Sequence, residues 1–158
     1  MEELYKKTLD RLKAELKKQL PEIEANGDWL WHHPEAGFKD TETQKYCLEV
    51  LKNHGFEACT WPDVTGFTCT YDTGRPGPCV MIMGEMDSLI CYSHPDCNPE
   101  TGAAHACGHS IQVATAMGAF ITLTESGVLE NFGGKVMLAG VPAEECLEIE
   151  WRTREIQK

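Results

Sequence analysis

The sequence predicts an α/β domain in which N-terminal helices precede a mixed sheet, and three patterns carry that expectation. Leu9, Leu12, Leu16 and Leu20 recur at helical intervals among lysines and glutamates. Cys79-Val80-Met81-Ile82-Met83 is an unbroken apolar run, as expected of a strand buried on both faces. A second apolar run, from Lys135 to Val141, is separated from the first by a segment with apolar residues at helical spacing.

In chain order, residues 3–20 form an amphipathic helix with a solvated charged face, and Pro21 starts a second helix, because proline is tolerated in a first turn. Ile23, Trp29 and Leu30 point inward from it. His32 and His33 close the segment before Pro34 and read, in isolation, as surface or helix-end histidines. Thr41-Glu42-Thr43-Gln44 has the form of a capping box, and its helix runs through Cys47, Leu48, Val50 and Leu51 to Gly55. Three strand signals follow at 56–61, 66–71 and 79–84, separated by turn residues. An irregular loop spans 90–102. A helix from Cys107 to Glu125 then leads through Asn131-Phe132-Gly133-Gly134 into the last strand, and a charged, helix-like segment covers 146–158.

Composition narrows the function. A chain of 158 residues is enough for one domain that buries roughly 68–70% of its unfolded surface. The net charge of −11 argues against nucleic acid and anionic membranes as partners. No apolar stretch approaches the roughly 20 residues of a membrane span, and the N-terminus has no secretory pattern. The eight cysteines therefore read as free thiols in a reducing, cytoplasmic setting.

The chemistry centres on His105-Ala106-Cys107-Gly108-His109. Cys107 and His109 suit a borderline-soft divalent ion, which accepts sulfur, nitrogen and oxygen donors in one shell. Their place at a helix N-terminus favours the thiolate. A Cys-x-His alone is more often a buried thiol beside a satisfied histidine. A second cluster changes the balance: Pro142-Ala143-Glu144-Glu145 follows the last strand, and adjacent carboxylates there repel unless a cation or proton offsets them. Two such glutamates can divide metal-assisted hydrolysis, one binding the ion and one handling the proton of water. Asp87, at the end of the 79–84 strand, lies at a carboxyl strand end as Glu144 and Glu145 do, where ligands gather in open α/β sheets.

The sequence resembles the co-catalytic zinc amidohydrolases, the family of aminoacylases, indole-acetyl-amino acid hydrolases, aminobenzoyl-glutamate hydrolases and glutamate carboxypeptidases. The resemblance runs through five motifs in order: His33-Pro34-Glu35-Ala36-Gly37-Phe38 with Thr43; Thr65-Gly66; Gly84-Glu85-Met86-Asp87-Ser88-Leu89; Thr101-Gly102 through His109; and Pro142-Ala143-Glu144-Glu145. Gln112 and Val141 look closest to the aminobenzoyl-glutamate branch. The resemblance implies a three-layer α/β/α zinc-peptidase-like catalytic domain. It also implies two divalent metal ions, zinc first with manganese or cobalt as alternatives, and small N-acyl amino acids or similar amides as substrates.

Matched by motif, Cys107 bridges the ions, His109 and Glu145 are metal ligands, Glu144 is the general base, and Asp87 orients the site from behind. The residue-level alternative for Asp87 is a solvated loop carboxylate. Two further ligand histidines and a dimerising lid domain belong to the family pattern, but no histidine follows His109. The expectation is that residues 1–158 are the N-terminal portion of such a catalytic domain, truncated before the lid. Ser110 stands where many relatives have Asp, and Gln112 where many have His. Two rival readings remain: a non-catalytic α/β domain that binds metal weakly or needs a partner chain, and a hydrolase with Cys107 as nucleophile.

Overall fold

The computed structural model describes residues 2–145; the charged segment expected at 146–158 lies outside them. Helix α1 (Glu2–His32) and helix α2 (Thr41–Asn53) lead into strands β1 (Ala58–Thr60), β2 (Phe67–Asp72) and β3 (Cys79–Glu85). A short pair, β4 (Leu89–Ile90) and β5 (Ala103–Ala104), brackets the 90–102 loop. Helix α3 (His109–Glu125), a single 3-10 turn (Val128–Asn131) and strand β6 (Lys135–Val141) complete the order.

The sheet is mixed, as the sequence predicts. Its order is β1-β2-β6-β3, with β6 antiparallel to β2 and parallel to β3. The parallel register places Glu85 beside Val141, so the acidic ends of β3 and β6 emerge together. Met86 N–H donating to Val141 C=O at 2.8 Å locks the two exits. Inside the sheet's helical side, Phe67, Leu138, Phe120, Met117, Leu30 and Leu51 are fully buried. Gly84 is required where α3 crosses β3, since a Cβ there would lie 2.9 Å from the Val113 backbone.

Three expectations change. First, α1 does not break at Pro21 but continues through it. An interior proline removes one helix hydrogen bond and costs ~3 kcal/mol. Contacts on both sides of it hold the helix along α3: Arg11 Nε donates to Ser126 C=O, Gln19 to Glu125, and Ile23 fills the space above Gly118. The buried face of α1 includes Glu15, Gln19, Asn26 and Gly27, while Leu16 and Leu20 are exposed. Second, α2 is not capped by its own Thr-Glu-Thr-Gln box. Glu35 supplies the cap from the preceding loop, its carboxylate accepting Thr43 N–H at 2.7 Å and Glu42 N–H at 3.3 Å. Third, β3 is not buried on both faces. It is the edge strand, and Val80, Met81 and Met83 are each more than half exposed. Side chains alternate along a strand, so Met81 and Met83 lie opposite Ile82 and Gly84. Among the described residues no helix covers that side. The described residues thus form two of the three expected layers.

One ionisable group ties three helices together. His54, following α2, places Nδ1 2.6 Å from Glu125 of α3 and Nε2 3.0 Å from Glu22 of α1. Burial alone would lower its pKa, but the two carboxylates outweigh burial and raise it above the ordinary value. A raised histidine pKa gives stability that is complete below the unfolded value, ~6.5, and is lost as pH rises through the folded value. Glu22 and Glu125 are 41% and 33% exposed, so solvent screens the pair. His54→Ala is therefore expected to cost about 1 kcal/mol or less at pH 6. The loss should shrink by pH 9, as read by denaturant melts of both proteins at the two pH values.

Candidate metal centre

Four polypeptide segments deliver the site: the tip of β3 with Glu85 and Asp87, the turn into α3 with Cys107, the first residue of α3 with His109, and the tip of β6 with Glu144 and Glu145. Gly108 makes the turn possible. Its φ of 84° is the left-handed conformation that glycine adopts without steric cost, and it lets His109 enter the helix directly after Cys107. The helix thus begins at His109, not at Cys107.

His109 is buried, and its two ring nitrogens face different partners. Nδ1 lies 3.0 Å from the Asp87 carbonyl oxygen and 3.2 Å from Asp87 Oδ1, both acceptors, so Nδ1 carries the proton. Nε2 faces Glu85 Oε2 at 3.0 Å and Glu144 Oε2 at 3.8 Å. With Nδ1 already protonated, a neutral ring turns its Nε2 lone pair toward two carboxylates. That juxtaposition is repulsive unless a proton or a cation lies between them. Glu85, His109 and Glu144 offer ligand atoms within 4.8 Å of one another, the one such group among the described residues. The donor set of imidazole and carboxylate fits zinc, manganese or cobalt.

Asp87 is completely buried. Besides orienting His109, its Oδ2 accepts Glu145 N–H at 2.8 Å, so one carboxylate positions groups from both the α3 turn and the β6 tip. This excludes the solvated-loop alternative for Asp87. The Cys107 thiol donates to the Glu145 carboxylate, which, ahead of burial and the charges of Glu144 and Asp87, pushes its pKa up to about 11. The helix N-terminus was expected to favour the thiolate; among the protein's own groups the neighbouring carboxylates win. A divalent cation reverses that balance, because it favours the thiolate and the carboxylates together.

All five residues singled out in the sequence, Asp87, Cys107, His109, Glu144 and Glu145, are thus brought to one strand-tip cluster. Sequence reasoning missed Glu85. It stands in the Gly84-Glu85-Met86-Asp87 motif, and its place at the last position of a strand whose neighbour ends in two glutamates was the available signal. His105, two residues before Cys107, is buried with neither ring nitrogen hydrogen-bonded, and burial first, then His109, lowers its pKa to about 4, keeping it neutral. Beside Glu85 and Glu144 opens a cavity of about 380 Å³ with an apolar wall of Phe38, Trp61, Val64, Met83 and Val141.

A buried acidic layer supports the cluster. Ser88 N–H and Oγ both donate to the Glu35 carbonyl at 2.9 Å, tying the β3 exit to the loop that caps α2. Thr65 Oγ1 donates to Asp40 Oδ1 at 2.5 Å, and Asp40 is fully buried. Burial, reinforced by the charges of Asp87 and Glu35 and opposed by the Thr65 hydrogen bond, raises the Asp40 pKa to about 7. The unfolded chain loses this proton near pH 4, the folded chain near 7, so folding stability falls as pH rises between those values. Asp40→Asn keeps an acceptor for Thr65 and removes the titration. Its stability is expected to match that of the parent near pH 4 and exceed it at pH 8, with a flatter profile between, measured by thermal and urea melts.

No family model matches the chain. Individual proteins do match it. An N-acetyl-L-cysteine deacetylase of Bacillus subtilis is 29% identical over 134 residues, covering 83% of this chain and 31% of its own length. An N-acetyldiaminopimelate deacetylase of Brevibacillus brevis is 30% identical over 118 residues, 71% of this chain and 30% of its own. Among solved structures, a dinuclear metal-binding peptidase of the M20 family from Bacillus subtilis superposes with a TM-score of 0.68 at 26% identity, over 84% of this chain and 36% of that one. The chain spans about a third of the length of the curated relatives it matches. No helix among the described residues is long and apolar enough to cross a membrane.

Proposed function

We propose that this homologue of the M20-family metal-dependent amidohydrolases binds divalent cations at its strand tips and serves the hydrolysis of N-acyl amino acids or closely related amides. The observation that carries the reading is the double engagement of His109, held through Nδ1 by Asp87 while Nε2 is turned toward carboxylates. The names of the relatives supply the reaction class, since two of them are deacetylases of small acylated amino acids.

In this reading Cys107, His109 and Glu145 hold the ions, with zinc first and manganese or cobalt as alternatives. When bound, the ions acidify a water and polarise the amide carbonyl. Glu144 is the general base: its half-exposed carboxylate, 53% accessible, is free to take the proton from the attacking water and pass it to the departing amine nitrogen. Asp87 touches no substrate; it fixes the ring of His109 and the backbone of Glu145. The apolar wall beside Glu144 receives the acyl group, and an aminobenzoyl-glutamate-like amide is the extended form of such a substrate. A cytoplasmic location fits the seven free cysteines found among the described residues.

A second reading, a metal-binding α/β unit without turnover, is favoured by one observation. His109 supplies the one imidazole of the Glu85–His109–Glu144 group, whose other two members are carboxylates. Metal content by elemental analysis, measured beside release of free amino acid from N-acetyl amino acids, separates the two. Stoichiometric metal with chelator-sensitive turnover supports the first reading, and metal without turnover supports the second. Chelator-resistant turnover would revive Cys107 as a nucleophile. Glu144→Gln is expected to reduce turnover about 10²–10⁴-fold while leaving metal content unchanged; turnover retained at the parent rate would refute the assignment of the base.

A further inference from the structure

The five residues carried by the resemblance leave one carboxylate of the cluster without a role. Of the two carboxylates facing His109 Nε2, Glu85 is the nearer, at 3.0 Å against 3.8 Å for Glu144. Donor atoms that share a tetrahedral ion at about 2.0–2.1 Å stand ~3.3 Å apart, and these two separations straddle that value. Neither Cys107 nor Glu145 belongs to this group of three.

Glu85 is also held as ligating carboxylates are held. Gln112 lies three residues after His109 on α3, so the two side chains share one helix face. Its Nε2 donates to Glu85 Oε2 at 3.0 Å, and its Oε1 accepts Glu85 N–H at 2.7 Å. A side chain that both donates to the carboxylate and accepts from the same residue's main chain fixes the carboxylate's orientation. Being neutral, it leaves the negative charge available to a cation. A histidine at 112 would bring a second imidazole here; glutamine brings a clamp.

Resting on the reading of this cluster as a metal centre, we propose that Glu85 is a direct ligand of the cation that His109 binds, and that Gln112 is the positioning residue that holds Glu85 in place. The chain then supplies Glu85 and His109 to one ion at the tip of β3, with Cys107 and Glu145 offering a second set of donors beside it.

The test is binding of Zn²⁺ and Co²⁺ to the purified chain, followed by calorimetry and by the visible absorption of bound Co²⁺, with far-UV circular dichroism reporting the fold of each variant. Glu85→Gln is expected to weaken binding at least tenfold and to alter the Co²⁺ bands. Gln112→Ala is expected to weaken it about 10–100-fold, as loss of a supporting contact does. Glu85→Asp keeps the charge but shortens the reach. Its loss of affinity marks a ligand, whereas full retention marks a charge acting at a distance and overturns the proposal. Parent-like affinity and Co²⁺ spectrum in Glu85→Gln overturn it as well. If Glu85→Gln does not fold, Gln112→Ala decides, with unchanged affinity counting against the proposal. Should His109→Ala abolish binding while the Glu85 variants retain it, the metal centre stands and only the role of Glu85 falls. A parent chain that takes up neither ion removes both.

Discussion

Repulsion among like charges organises this molecule. Glu85, Asp87, Glu144 and Glu145 leave the tips of two parallel neighbouring strands, and a thiol joins them from the turn before α3. Nothing in the sheet itself makes that arrangement favourable. It is held by main-chain register, by the Met86–Val141 hydrogen bond, and by Asp87, which spends both carboxylate oxygens on partners from other segments. A scaffold that brings so much negative charge to one point, with an imidazole lone pair turned into it, is built around a positive charge that the protein does not itself supply.

Behind the cluster the fold spends unusual residues on stiffness. Glu35 caps α2 through its carboxylate and anchors Ser88 through its carbonyl, so one loop residue couples a helix start to a strand exit. Asp40 sits fully buried with Thr65 as its hydrogen-bonded partner. These contacts tie the segment around Glu35, Asp40 and Thr43 to Thr65 and, through Ser88, to the β3 exit that carries Asp87.

Much of this was legible in the sequence, and the failures share a cause. The strand-tip positions of Asp87, Glu144 and Glu145 followed from apolar runs ending in acidic residues, and a helix opening at the Cys107–His109 pair followed from the apolar spacing after it, two residues early at its start. What pattern reasoning missed depended on contacts between distant segments. The unbroken α1 survives Pro21 because α3 holds both halves, a fact invisible to local propensity. The cap of α2 comes from Glu35, outside the Thr-Glu-Thr-Gln box that has the right spacing. Glu85 was passed over because its significance lies in Gln112 and His109, 27 and 24 positions later. The continuous apolar run of β3 correctly signalled a strand, but hydrophobicity cannot say whether the covering layer is among the same residues.

The open side of β3 has a colloidal consequence. Among the described residues β3 is a sheet edge beside the exposed Val80, Met81 and Met83, and such an edge is a template on which further strands can add, one molecule to the next. The charge of −11 works against such stacking, because every copy repels every other. Dissolved salt shortens the reach of that repulsion to roughly 10 Å at 0.1 M and leaves the sticky edge untouched. Added salt thus weakens the force that keeps two such edges apart while leaving their attraction in place.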